Sequence, residues 1–324
     1  MTKRLRILSG VQPSGTLHIG NYFGAIRQHI ALQDQGEAFY FLANYHALTT
    51  INDAAEMRRY TTDAVLDYLA LGLDPAKATF FLQSDVPEVC ELTWMLSSVT
   101  GMGLLERAVS YKDKLARGIQ PRVGLFTYPV LMAADILIYD SDVVPVGADQ
   151  VQHIEMTRDM AGFFNAIYGE VFKLPVARLD EGAAKVPGTD GQKMSKSYGN
   201  TIGIFDEGKT LKTKVMGIVT DSTPVEAPKD PDTNTIYQLF TLVGSEAEAA
   251  EMAERFRAGG YGYGDAKKRL LEALDATFRP FREKRKDLAA HPDYLQEVLR
   301  EGALRARAEA RVVLQRARVA CGIG

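Results

Sequence analysis

The chain has 324 residues, of which 46% are hydrophobic and 24% charged, with a net charge of −3. That length and apolar content support a large buried core divided into two domains, and they exclude a disordered or fibrous chain. Two cysteines, Cys90 and Cys321, and five scattered histidines give neither a disulfide framework nor metal-ligand spacing, and no apolar run is long enough to span a bilayer. The apolar start after Lys3, Arg4 and Arg6 is broken at once by Ser9 and Gly10, so no secretory leader is expected and the default compartment is the cytoplasm.

In chain order, short apolar runs at residues 5–8, 39–43, 79–83 and 143–146 read as buried strands, with helical patterns at 22–33, 53–71 and 130–139 between them. This alternation predicts an α/β fold with a Rossmann-like parallel sheet, whose ligands lie beyond the carboxyl ends of the strands. The turn 12–20, the segment 44–46 and the turn 147–150 would converge there. Beyond about Phe205 the strand signals fade. From Thr235 onward the chain reads as helices interrupted at Gly259, Gly260, Gly262, Pro280 and Pro292. The expected division is a catalytic domain over 1–205 and an all-helical C-terminal domain over 206–324. Residues 265–318 carry fourteen Lys or Arg against nine Asp or Glu, which leaves the remainder near −8. An excess of that size fits a solvated helical surface as well as contact with a polyanion.

Two short motifs carry the chemistry. The first, TLHIGN at residues 16–21, follows the first strand and a turn rich in Gly10, Pro13, Ser14 and Gly15. It opens an amphipathic helix marked by Ile19, Phe23, Ile26 and Ile30. Amides and the positive dipole end at a helix start meet anions, and His18 and Asn21 add donors from one face. The second, KMSKS at 193–197, sets the ammonium groups of Lys193 and Lys196 three residues apart in a loop over 188–200. Gly188, Gly191 and Gly199 in that loop predict that it moves and closes over phosphates. Alone, the first is an ordinary helix cap and the second a solvated loop; together they look like an ATP-phosphate site.

The segment 128–139 is apolar apart from one carboxylate, and Tyr128, Met132 and Asp135 share one helical face. An apolar slot ending in a buried acceptor suits an aromatic ligand with a single donor, such as an indole N–H or a tyrosine hydroxyl. The plain alternative is an aspartate satisfied by groups of the fold itself.

The two motifs in this order resemble those of class I aminoacyl-tRNA synthetases. Residues 9–21 (SGVQPSGTLHIGN), 128–139 (YPVLMAADILIY), 144–150 (VPVGADQ) and 193–197 together resemble the bacterial tryptophanyl-tRNA synthetase family, and the likeness runs over nearly the whole chain. The resemblance implies Asp135 as acceptor for the indole N–H, with Tyr128, Met132, Val144 and Val146 around the ring, and His46 and Gln150 near the amino group and pocket mouth. It implies ATP contacts from Gly10, Gln12, Gly20, Asp149 and Ser195, catalysis by His18, Asn21, Lys193 and Lys196, and Lys114 near the phosphates. ATP is then a substrate, with Mg2+ carried mainly by its phosphates and no metal site in the protein. Further implications are L-tryptophan and tRNA(Trp) as partners, no membrane, and a homodimer formed through an insertion around 85–125. The helical C-terminal region would receive the anticodon, with Lys284, Arg285, Lys286, Arg305, Arg307 and Arg311 available for phosphates. A tyrosine-specific sister enzyme and a non-catalytic tRNA-binding paralogue are the alternatives. Three positions depart from the family pattern: Leu8 where an aromatic is common, Asn44 where aspartate is frequent, and Ala148 in place of glutamate.

Overall fold

A computed structural model describes residues 4–109, 111–112, 118, 120–147, 150–179 and 186–324. Lys114, Ala148 and Asp149 lie outside the described residues. Contacts divide the chain into two compact units, one formed by Met1–Gly15, His29–Glu181 and His291–Gly324, the other by Thr16–Gln28 and Gly182–Ala290. Compactness therefore does not follow a single cut at residue 205.

The first unit is built on five strands: β1 (Arg6–Val11), β2 (Glu37–Leu42), β3 (Ala78–Leu82), β4 (Val143–Val146) and β5 (Val176–Leu179). All pair in parallel in the order β3-β2-β1-β4-β5. The order reverses between β1 and β4, which creates the crevice that α/β sheets use for ligands. The central strands read as continuous apolar runs because helices cover both faces. β1 runs three residues past its expected end because Ser9, Gly10 and Val11 keep pairing with Tyr40, Phe41 and Leu42. A Cβ on Gly10 would come 2.4 Å from the Phe41 ring, so glycine there makes room for a neighbouring strand's side chain. β5 had no sequence signal, since three of its four residues are exposed and no buried run marks it.

The Val123–Leu137 helix starts seven residues before the expected position and carries Pro129 inside it. Its buried stripe of Leu125, Pro129, Val130, Ala133 and Ala134 packs against the Glu88–Val99 and Val151–Tyr168 helices, which outweighs one missing ladder bond. The Pro292–Cys321 helix lies on the edge strand β3 and covers it. Gly302 makes this approach possible: a Cβ there would sit 1.7 Å from the carbonyl oxygen of Phe80. Arg305 donates to the carbonyls of Pro75 and Ala78, Arg307 and Arg311 both reach Glu88, Arg316 pairs with Asp140 and Arg318 with Glu91. The arginines of the last helix thus bind it to the sheet unit.

The second unit is helical, with Gly208–Met216, Thr235–Phe240, Glu246–Ala258 and Tyr263–Ala289 around a core that includes Leu211, Val215, Phe240, Phe256, Leu270 and Phe278. The helix expected to break at Pro280 runs through it. Buried Arg282 donates to the Asp275 carbonyl and carboxylate two turns back, which braces the helix across the proline that leaves it short of a bond. The motif segment 16–28 belongs to this unit; Tyr22 and Phe23 pack edge-on against Phe278 at 5.4 and 5.9 Å.

Candidate active site

The helical unit brings the two motifs together. Ile19 N donates to Ile202 O at 2.9 Å, Ile204 N donates to Leu17 O at 3.2 Å, and His18 and Gly203 form an isolated antiparallel bridge. Gly20 has no room for a side chain: a Cβ would lie 2.9 Å from His18 Nδ1 and 3.3 Å from Met194 Cβ. Methionine 194 is the buried centre of KMSKS, flanked by exposed Lys193 and Lys196.

His18 is 7% exposed, and its Nδ1 makes no hydrogen bond among the described residues. Burial, reinforced by the nearby Lys196 ammonium, lowers its pKa to about 4. The imidazole is therefore neutral at pH 7 and offers hydrogen bonding, while the positive charge of the site comes from the lysines. Asn21 Oδ1 accepts from His18 N at 3.1 Å, closing the helix start and leaving its NH2 to donate. The amide of Ile19 is taken by Ile202, and that of Asn21 donates to His18 O at 2.8 Å. Two amides of this helix start are thus already engaged within the fold. The first helical turn passes into a π-helical stretch at Tyr22–Ile26 before resuming at Arg27–Ala31. Ser195 caps the short turn Lys196–Tyr198, its Oγ accepting from Ser197 N at 3.3 Å.

The sheet unit holds the second centre. Asp135 is 2% exposed; its Oδ2 lies 2.9 Å from His46 Nε2, and Gln83 Nε2 donates to Oδ1 at 2.9 Å and Oδ2 at 2.8 Å. Burial pushes the carboxyl above its usual range, while His46 and Gln83 draw it back down. Gln83 is itself fixed, because its Oε1 accepts from Tyr45 N at 3.0 Å and His46 N at 3.4 Å. His46 follows β2 and Gln83 follows β3, so both sit at the carboxyl edge of the sheet. Asn44 clasps Ser84 through two hydrogen bonds of 2.8 and 3.0 Å.

Tyr128 lies edge-on to the His46 ring at 6.2 Å and its hydroxyl is 2.9 Å from His153 Nε2. Val144 and Val146 are buried in the same core cluster against which half-buried Met132 packs. Gln150 precedes the Val151–Tyr168 helix just beyond β4, and Gln12 is exposed just beyond β1, on the two sides of the topological switch. A cavity of about 760 Å³ reaches His46 and Tyr128 along with Tyr45, Cys90, Arg122 and Leu131. Gln83 and His153 went unrecognised in the sequence. For Gln83 the available signal was an amide ending a buried apolar strand at the ligand-binding edge; for His153 it was a single turn's distance from Gln150. Among the described residues no group of three His, Cys, Asp or Glu side chains could hold a metal ion.

A parallel sheet with this switch point, and the two signatures packed on one another, are the marks of a class I synthetase. The family model described as tRNA synthetases class I (W and Y) matches residues 1–279, and the chain belongs to that family. The tryptophan–tRNA ligase of Rhodopirellula baltica is 55% identical over 98% of this chain and 100% of its own length. That of Fusobacterium nucleatum is 56% identical over 98% of each. The crystal structure of tryptophanyl-tRNA synthetase from Campylobacter jejuni complexed with ADP and tryptophan matches with a TM-score of 0.95 and 50% identity, covering 98% of this chain and 100% of that one.

Proposed function

We infer that the chain works as a tryptophan–tRNA ligase, activating L-tryptophan with ATP and then transferring it to tRNA(Trp). The observation that carries the reading is the joining of the two motif segments within one compact unit, where Gly20 closes on Met194, residues 17–19 bond to residues 202–204, and the Lys196 ammonium lies near His18. The near full-length likeness to tryptophan–tRNA ligases, and the ADP and tryptophan bound by the Campylobacter jejuni enzyme, support the choice of substrates.

In the first step a tryptophan carboxylate oxygen attacks the α-phosphorus of ATP and forms the acyl-phosphate bond. The bond from that phosphorus to the bridging oxygen breaks, and its electrons leave with pyrophosphate. Neither bond change needs a side-chain base, so catalysis rests on positioning and on charge opposite the leaving oxygens. Lys193 and Lys196 supply that charge, and neutral His18 and the Asn21 NH2 supply hydrogen bonds. Mg2+ would enter bound mainly to the ATP phosphates, where it would offset their charge. In the second step a terminal ribose hydroxyl of the tRNA attacks the acyl carbon and AMP departs.

Asp135 selects the amino acid. Gln83 and His46 hold it in place, and an acceptor buried in the fold discriminates strongly for a ligand that donates to it. Tyr128, Met132, Val144 and Val146 form the walls, Gln150 stands at the mouth, and Gln12 lies in the turn that reaches both substrates. Arg305, Arg307 and Arg311, expected to meet tRNA, are committed to the sheet unit. The anticodon-side contact is assigned instead to Lys284, Arg285 and Lys286. A homodimer is supported by exposed Trp94, Met102, Val109 and Val123 in or beside the expected insertion around 85–125. Among the described residues no helix is long and apolar enough to cross a membrane. A role in translation supports the expected cytoplasmic location. Tryptophan-dependent incorporation of labelled pyrophosphate into ATP, followed by charging of tRNA(Trp), tests the reading; absence of exchange would refute it.

A further inference from the structure

Asn200 closes the loop that carries the two lysines. It is 3% exposed, yet each end of its side-chain amide is engaged. Oδ1 accepts from Ser195 N at 2.8 Å, while Nδ2 donates to Asp190 Oδ1 at 2.8 Å and to Lys193 O at 3.2 Å. Its backbone carbonyl accepts from Thr189 N at 2.9 Å. One side chain thus ties the start of the loop to the carbonyl of the first lysine and to the amide just before the second. Asp190 passes the constraint on by accepting from Gln192 N at 3.0 Å. Gly191 and Gly199 take left-handed conformations, with φ of 81° and 65°, but Gly188 does not. Gly188 is needed for space instead: a Cβ there would lie 2.2 Å from Asn200 Nδ2.

The groups facing Asn200 are a carboxylate, a carbonyl and an N–H. Only a primary amide offers two donors and an acceptor in one rigid plane of this size. Aspartate would lack the donors and repel Asp190; leucine would leave three polar groups without their partner.

We propose that Asn200 is a positioning residue for adenylate formation, fixing the backbone on both sides of Met194 so that Lys193 and Lys196 stand at set places beside His18. The proposal rests on the reading of this loop as the one that meets the ATP phosphates. Its effect is exerted through the lysines and appears in the rate of activation, while the tryptophan site, built from other residues, keeps its affinity.

The test uses the full chain. Tryptophan-dependent pyrophosphate exchange and equilibrium dialysis with labelled tryptophan are measured for wild type, Asn200→Ala, Lys193→Ala/Lys196→Ala and the triple variant. Asn200→Ala should lower kcat ~10- to 100-fold and leave tryptophan Kd within about 2-fold. In the background lacking both lysines, the same substitution should cost less than about 3-fold, because sites that act as a unit are not additive. Unchanged kcat in Asn200→Ala, or an equal loss with and without the lysines, would overturn the proposal. If Asn200→Ala does not fold, exposed Asp190 provides the second pair. Asp190→Asn keeps an oxygen to accept from Asn200 and should retain more exchange than Asp190→Ala, and equal losses would overturn the proposal. Failure of the wild type to exchange with tryptophan would instead count against the ligase reading itself.

Discussion

Asp135→Asn separates a selecting carboxylate from one that only satisfies the fold. Gln83 Nε2 bonds both oxygens of Asp135, and His46 Nε2 approaches Oδ2. An asparagine keeps one oxygen and presents an NH2 at the other place. Turned toward Gln83, that NH2 meets a donor, and Gln83 has no freedom to invert because its Oε1 already accepts from Tyr45 N and His46 N. The arrangement leaves one buried donor unsatisfied, which costs about 1–3 kcal/mol of stability. Its consequence for specificity is larger. The amide can turn its oxygen toward Gln83 only by aiming its NH2 at the remaining contacts, where a ligand donor would sit. A site built on one buried hydrogen bond discriminates by ~10⁴ or more against analogues that lack the donor. The ratio of kcat/KM for tryptophan over phenylalanine in pyrophosphate exchange should therefore collapse, with a lower unfolding midpoint. A variant that keeps both wild-type preference and wild-type stability would show that Asp135 does not choose the substrate.

Lys196→Ala should slow single-turnover adenylate formation ~100-fold or more while changing tryptophan binding little, since it removes a cation from the leaving pyrophosphate; a wild-type rate would exclude it from the transition state. His18 has a folded-state pKa near 4 against an ordinary 6.5, so the folded chain binds fewer protons than the unfolded one between those values. Stability should be level above about pH 6.5 and fall as pH drops toward 4, by at most ~3 kcal/mol and by roughly 1–2 kcal/mol after solvent screening. Urea midpoints for wild type and His18→Asn at pH 7 and pH 4.5 check this, and an identical pH dependence in both would contradict it. Changing Lys284, Arg285 and Lys286 to Ala should weaken tRNA binding without affecting pyrophosphate exchange. Lys286 already pairs with Glu207 at 2.7 Å and Arg285 stacks 5.0 Å from the Phe205 centroid, so the salt slope should drop by roughly 1–2, less than three full phosphate contacts would give. An unchanged affinity and slope would mark the cluster as a solvated face.

The sheet was legible where burial writes a pattern. β1 to β4 are apolar runs between helices, whereas β5 exposes Val176 and Leu179 at an edge and carries no such pattern. Pro129 and Pro280 misled the helix boundaries because local propensity ignores packing: buried neighbours in one helix and Arg282 in the other offset the missing bonds. The two motifs could be read as chemistry, but their mutual packing through Ile19, Gly20, Ile202 and Ile204 is a tertiary fact. Asp135 stood out as a lone carboxylate in an apolar segment. Its partners Gln83 and His46 lie 52 and 89 residues away along the chain, and no local period connects them. The arginines of the last helix looked available because charge can be counted from sequence, while the Glu88, Glu91 and Asp140 that engage them are brought near only by folding.

The most direct test of the central claim is exchange of labelled pyrophosphate into ATP by the intact chain, run side by side with tryptophan, tyrosine and phenylalanine. The account predicts exchange with tryptophan and a kcat/KM at least ~10⁴-fold higher than with phenylalanine. Preference for tyrosine would contradict the assignment of substrate, and no exchange with any of the three would contradict catalysis by the paired motifs.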